Sequence, residues 1–222
     1  VSFLNDGKEI LFRSERNGWG HYYLYDTATG KLKNQVTDGT WVAGPVVKID
    51  TLGRKFYFYG YGREKGVDPY YYMFYEASLD HPGKLRLLTP ENATHTVSVS
   101  PSHRYMVDAY STVSQVPVNV VRNRNGKVIM TLDKADMQPV YDLGWKAPER
   151  FKVKAADGVT DLYGVMWKPA DFDSTKVYPI ISNVYPGPFF EYVPTRFTIN
   201  DSYNTRLAQL GFIVITVGHR GG

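Results

Sequence analysis

The residues able to make or break bonds are few in kind. None of the serines has a glycine two residues before it and two after it, so the 222 residues lack the Gly-x-Ser-x-Gly turn that exposes a nucleophilic serine between strand and helix. The absence of cysteine excludes thiolate nucleophiles, thiolate zinc sites, iron–sulfur clusters and disulfide scaffolds. His21, His95 and His103 are separated by polar sequence without metal-ligand spacing, so no metal and no cofactor is implied. His219 follows an apolar run and reads as a loop histidine. Glu15, between Ser14 and Arg16, reads as half of an exposed hairpin ion pair. Tyr70, Tyr71 and Tyr72 could line a groove, but strand alternation more simply puts two on one face and one on the other. Tyr185 ends the apolar run that starts at Tyr178, and from the residues alone it is a tyrosine closing a buried strand.

The elements that must position these residues change character once along the chain. Residues 1 to about 133 read as short strands at Glu9 to Arg13, His21 to Tyr25, Val42 to Ile49, Lys55 to Tyr59, Tyr70 to Tyr75, Thr96 to Ser100, Tyr105 to Ala109, Val116 to Arg122 and Lys127 to Thr131. Turn formers such as Asn5-Asp6-Gly7, Thr37-Asp38-Gly39 and His81-Pro82-Gly83 separate them. Phe12, Phe56 and Tyr105 open similar stretches at a spacing of about 45 to 50 residues, the length of a four-stranded propeller blade. Two to three blades fit; a β-sandwich is the alternative. Four blades are about the minimum for closure, so this propeller is expected to be incomplete and the chain to be a piece of a longer protein.

Lys146-Ala147-Pro148-Glu149-Arg150 reads as a linker after Trp145. Strands are expected at Phe151 to Ala155 and Leu162 to Lys168, with Tyr178 to Tyr185 as a central buried strand. A helix follows over Asp201 to Leu210, with Leu207 and Leu210 on one side and a stop at Gly211, and then a strand over Phe212 to Val217 buried on both faces. Strand, helix, strand is the front of an α/β sheet. The domains are expected at 1–145 and 146–222.

Charge excludes little. Lys and Arg number 26 against 22 Asp and Glu, and the excess of +4 is spread along the chain, with its densest stretches at expected hairpins, so nucleic acid is not an expected partner. No apolar run approaches the roughly 18 residues of a membrane-spanning helix.

In this order the two halves resemble the prolyl oligopeptidase family of serine peptidases, in its dipeptidyl peptidase IV branch. The resemblance is carried by Ser14-Glu15-Arg16-Asn17-Gly18-Trp19, Leu24-Tyr25-Asp26, Val36-Thr37-Asp38-Gly39-Thr40-Trp41, Leu88-Thr89, Ser98-Val99-Ser100-Pro101, Asp157-Gly158 with Leu162-Tyr163-Gly164, Tyr178-Pro179-Ile180, Val184-Tyr185-Pro186-Gly187-Pro188, Leu207-Ala208 and Arg220-Gly221. One departure is Gly218, where the family usually carries Asp.

The resemblance implies the last blades of a β-propeller followed by the N-terminal part of an α/β-hydrolase domain, in a serine exopeptidase that releases dipeptides ending in Pro or Ala. Related tripeptidyl or acylaminoacyl peptidases, or a propeller that only binds a partner, are the alternatives. It assigns Tyr185 as a donor to the oxyanion, since a phenol stays protonated at neutral pH and is rigid. The family's order of Ser, acid, His puts nucleophile, acid and base beyond Gly222, so the segment alone is expected to be inactive, and His219, ahead of the elbow, is not the base. The adjacent glutamates that hold a substrate amino terminus are not in this chain. Peptide substrates, a homodimer of the full-length protein and a periplasmic or extracellular location, with the cytoplasm as alternative, complete what the resemblance implies.

Overall fold

The computed structural model describes residues 1–185 and 192–219. They form two compact units, Val1–Tyr110 with Val118–Asp133, and Ser111–Pro117 with the chain from Lys134 onward.

The first unit is built from three sheets of four strands, each in sequence order. Sheet 1 holds β1 (Ser2–Leu4), β2 (Glu9–Ser14), β3 (His21–Asp26) and β4 (Leu32–Gln35); sheet 2 holds β5 (Val42–Asp50), β6 (Lys55–Tyr61), β7 (Met73–Ser78) and β8 (Leu85–Leu87). Sheet 3 holds β9 (Thr94–Val99), β10 (Tyr105–Ser111), β11 (Val118–Asn123) and β12 (Val128–Lys134). The second strand of each sheet starts at residue 9, 55 and 105, so the repeat seen in the sequence is a repeat of whole sheets.

The uninterrupted run Phe56-Tyr57-Phe58-Tyr59 shows why the sheets stack. Successive side chains of a strand point to opposite faces, so a run that is apolar at every position needs cover on both. Phe56 and Phe58, with Met73, Tyr75 and Ala77, pack into the core shared with Leu11, Tyr22 and Leu24 of sheet 1. Tyr57 and Phe74 face the other way and pack with Leu88, Val97 and Met106, reaching sheet 3. Tyr22 meets Phe56 edge-on at 5.2 Å. A middle sheet covered on both sides is a row of blades and excludes a two-sheet sandwich.

Polar side chains repeat as well. The Tyr22 backbone N–H donates to Thr37 Oγ1 at 2.9 Å and that of Phe74 to Thr89 Oγ1 at 2.9 Å, so one threonine after the fourth strand closes the third strand in both sheets. The last residues of β3, β7 and β11, Asp26, Ser78 and Asn123, accept backbone N–H groups of the hairpins that follow them.

One strand shifts, and three short ones are added. β7 starts at Met73, not Tyr70, because Asp68 holds a turn: its Oδ1 accepts the Tyr70 N–H at 2.9 Å and its carbonyl the Tyr71 N–H at 3.0 Å. The three tyrosines thus precede the strand, with Tyr71 in the core and Tyr72 exposed. β1, β4 and β8 are strands of three or four residues, too short to show a period in sequence.

In the second unit, helix α1 (Gln138–Asp142) leads to sheet 4, made of β13 (Glu149–Lys154), β14 (Asp161–Trp167), β15 (Ile180–Ser182) and β16 (Ile213–Val217), with helix α2 (Ser202–Gln209) before β16. The order is β13-β14-β16-β15; β14 pairs with β13 and β16 antiparallel, while β15 and β16 are parallel. β13 begins at Glu149, inside the segment read as a linker.

Here burial departs from expectation. β15 is three residues long and lies at the edge of the described sheet, with Ile180 63% exposed, because only β16 pairs with it. β16 alternates between buried and half-buried positions rather than being buried throughout. The packed face of α2 is Asn204 with Ala208, four residues apart, which leaves Leu210 75% exposed at the helix end.

The seam between sheets 1 and 2 ends on charge. Glu9 is buried and accepts from Lys33 and from Arg54, whose guanidinium also holds Asp80 at 2.6 and 3.0 Å. The Arg54 hydrogen bonds hold both carboxyls below their usual range. A depressed folded-state value means stability that is present above the unfolded carboxylate pKa and lost as pH falls through the folded one. The unfolding free energy is therefore expected to fall below about pH 4.5, and more steeply in the parent than in Arg54→Met, as measured by urea titrations across that range.

The second seam is close at one point. A Cβ on Gly126 would sit 2.4 Å from the Leu88 carbonyl oxygen at a backbone φ of +85°, whereas one on Gly83, at φ +72°, would meet nothing within 4 Å. Gly83→Ala is expected to cost only the left-handed strain of about 1 to 2 kcal/mol. Gly126→Ala adds overpacking of about 1 to 3 kcal/mol; equal shifts of the denaturation midpoint would contradict this.

Candidate functional site

Tyr185 stands where β15 runs out. The last ladder bond in this direction is from the Asn183 N–H to the Ile215 carbonyl at 2.8 Å. The Asn183 side chain donates to Asn204 Oδ1 of α2 at 2.7 Å, and Asn204 Nδ2 donates to Asp201 Oδ2 at 3.1 Å, which ties the strand end to the start of the helix. Asp201 thus occupies the N-cap but spends its carboxylate on a side chain, not on the helix backbone. Beyond Asn183 the chain leaves the sheet, and Tyr185 is 53% exposed, not the closing residue of a buried strand. Its ring stacks on Tyr192 with centroids 5.4 Å apart and planes 27° from parallel. The turn expected at Pro186-Gly187-Pro188 and the pair Arg220-Gly221 lie outside the described residues.

The carboxyl ends of β15 and β16 point the same way, so Tyr185 and His219 both follow a strand on the side where open parallel sheets bind ligands. Gly218 donates its N–H to the Tyr163 carbonyl at 2.9 Å and places half-buried His219 just past the sheet. A phenol displayed at a strand end, with an aromatic neighbour and solvent access, can donate one hydrogen bond to a charge developing on a bound molecule.

Elsewhere the expected site residues take structural roles. Glu15 is exposed and pairs with Arg13 at 2.9 Å, while Arg16 lies 4.1 Å over the Tyr23 ring. His21 is fully buried between Thr37 Oγ1 at 3.1 Å and the Gly39 carbonyl at 2.9 Å. His103 stacks on Tyr57 at 6.0 Å.

One cluster escapes sequence reading. His95, Asp108 and Arg122 are fully buried on three neighbouring strands of sheet 3, with Glu91 beside them. Asp108 receives His95 Nδ1 at 3.0 Å and Arg122 Nε at 2.9 Å, and Arg122 also donates to Glu91 Oε2 at 2.6 Å and to the Gly126 carbonyl at 2.9 Å. Ligand atoms of Glu91, His95 and Asp108 lie within 4.8 Å of one another, a grouping that could hold a metal ion. The guanidinium already supplies the positive charge there and occupies the carboxylate lone pairs, so the donor set fits a structural ion-pair network. Its members come from four places in the chain, and no local spacing announces them.

Removing the cation would leave Asp108 and Glu91 uncompensated. Arg122→Met is expected to destabilise the protein by about 3 to 5 kcal/mol. Replacing half-buried Lys168, which pairs with exposed Glu149 at 2.7 Å, should cost at most about 1 kcal/mol. Chemical denaturation of both variants checks the contrast.

Residues 1–117 match the family described as the dipeptidyl peptidase IV (DPP IV) N-terminal region. Dipeptidyl peptidase 8 of Homo sapiens is 27% identical over 96% of this chain and 27% of its own length. Dipeptidyl peptidase 4 of Trichophyton equinum is 25% identical over the whole chain and 29% of its own length. Among solved structures, one assigned as a dipeptidyl aminopeptidase IV from Bacteroides ovatus superposes with a TM-score of 0.79 at 28% identity, covering 99% of this chain and 33% of that one. Porphyromonas gingivalis dipeptidyl peptidase 4 shares the fold with a TM-score of 0.78 at 23% identity, over 99% of this chain and 30% of that one. The chain therefore spans about a third or less of the length of these relatives. With the matched stretch running through sheets 1 and 2 and into sheet 3, the chain belongs to the dipeptidyl peptidase IV branch of the prolyl oligopeptidase family.

Proposed function

We propose that the chain is part of a serine exopeptidase that removes dipeptides ending in Pro or Ala from peptide amino termini. Residues 1–145 are the last blades of its propeller and residues 146–222 the start of its α/β-hydrolase domain. The observation that carries this reading is Tyr185 just past the end of β15, one half of a parallel pair joined through α2, in a chain whose sheets 1 and 2 and first two strands of sheet 3 match the family. Strand, helix and parallel strand are how an α/β sheet is built, and the strand end is where such a sheet works.

The division of labour follows from the residues. This segment holds no Gly-x-Ser-x-Gly, so serine, acid and histidine come from beyond residue 222. As that serine attacks the peptide carbonyl, its oxygen gains negative charge. The Tyr185 hydroxyl donates to it, and the interaction strengthens as the charge forms, which lowers the barrier without tightening substrate binding.

In the full-length protein, Tyr185→Phe removes one hydroxyl and keeps the ring. The kcat on an Ala-Pro or Gly-Pro anilide is expected to fall by about 10²- to 10³-fold with KM little changed, and the melting temperature to stay put because the ring is half in solvent. An unchanged kcat, or a loss confined to thermal stability, overturns the role.

A further inference from the structure

The proposed role makes a demand on Tyr185 that β15 does not meet. An oxyanion donor has to be held within roughly 0.5 Å of its working position. The backbone ladder stops at Asn183, two residues earlier. Pro186 restricts the backbone of the residue before it but not that residue's side-chain rotation. Among the described residues the Tyr185 ring stacks on Tyr192.

Tyr192 is well placed to bear that load, because the segment following it is tied down. Val193 is buried, the Pro194 carbonyl accepts from Arg150 of β13 at 3.1 Å, and the Phe197 N–H donates to Ser111 Oγ at 3.2 Å. Phe197 in turn packs edge-on against Trp145 at 5.7 Å. Tyr192 is thus carried by backbone anchored to sheet 4, and Tyr185 leans on it. We infer that Tyr192 is a positioning residue that sets the direction of the Tyr185 hydroxyl through the stacked rings. The inference rests on the oxyanion reading above and adds to it a second residue.

The test uses four variants of the full-length enzyme: Tyr185→Phe, Tyr192→Ala, Tyr192→Phe and the double variant Tyr185→Phe/Tyr192→Ala. Tyr192→Ala is expected to lower kcat about 3- to 10-fold, the range a stacked aromatic pair can bias, with KM and melting temperature nearly constant. Tyr192→Phe, which keeps the ring, recovers most of that loss. In the double variant the Ala substitution adds nothing to Tyr185→Phe, because there is no hydroxyl left to aim. If Tyr185→Phe costs its expected factor while Tyr192→Ala costs nothing, or if the two losses multiply, the positioning role is overturned and the oxyanion role stands. A loss carried by KM would mean that Tyr192 binds substrate itself, and overturns the inference as well. An unchanged kcat in Tyr185→Phe overturns both readings.

Discussion

Sheet 2 is apolar on both faces, and the first unit is organised around covering it. Phe56, Phe58 and Tyr75 cannot face water on one side while Tyr57 and Phe74 face water on the other, so a sheet has to lie against each. Burying each of these rings is worth on the order of 2 kcal/mol, and the edge-on and offset contacts among Tyr22, Phe56, Phe58 and Trp41 add direction to that gain. Serial stacking of sheets follows from this one requirement. The recurring threonine at 37 and 89, satisfying the backbone at the same place in consecutive sheets, shows that the unit being stacked is the whole four-stranded sheet.

The seam between sheets 1 and 2 ends on an arginine that holds two carboxylates, Arg54 with Glu9 and Asp80, and within sheet 3 Arg122 holds Asp108 and Glu91 in the same way. Glu9 shares a strand face with Leu11, and Asp108 shares one with Met106, so both ion clusters lie on the packed faces. An apolar contact is indifferent to small slips along the strand. A bidentate guanidinium is not. The Arg54 cluster thus fixes the register between sheets 1 and 2 that ring packing alone leaves loose, and its net cost or gain in stability matters less than the fact that a slipped seam would bury charge without a partner.

Sheet 4 obeys a different logic. Its parallel pair needs a crossover, which α2 supplies, and the crossover brings two strand ends to one side. Tyr185 is exposed there because the ladder ends at Asn183, and an exposed phenol at a strand end is useful only if something aims it. The Asn183–Asn204–Asp201 chain of hydrogen bonds fixes the backbone, and the Tyr192 ring fixes the side chain.

Much of this was legible in the order of residues. Strand-forming runs broken by Asn-Gly, Asp-Gly and Pro-Gly turns, the spacing of Phe12, Phe56 and Tyr105, the missing Gly-x-Ser-x-Gly and the position of Tyr185 all depend on residue type and local spacing, which a linear chain displays directly. Where Asp68 captured the backbone ahead of β7, a local hydrogen bond overrode a run of three tyrosines that pattern alone assigns to the strand. The burial expected of β15 fails for another reason: an apolar run states a preference for cover, and only the sheet order says whether cover is there. The Glu91–His95–Asp108–Arg122 network, the Glu9–Arg54–Asp80 cluster and the Tyr185–Tyr192 stack were decided by tertiary structure alone. They join side chains from separate segments, and charge or ring contacts at such separations exist only once the backbone has been brought together by the packing of the sheets.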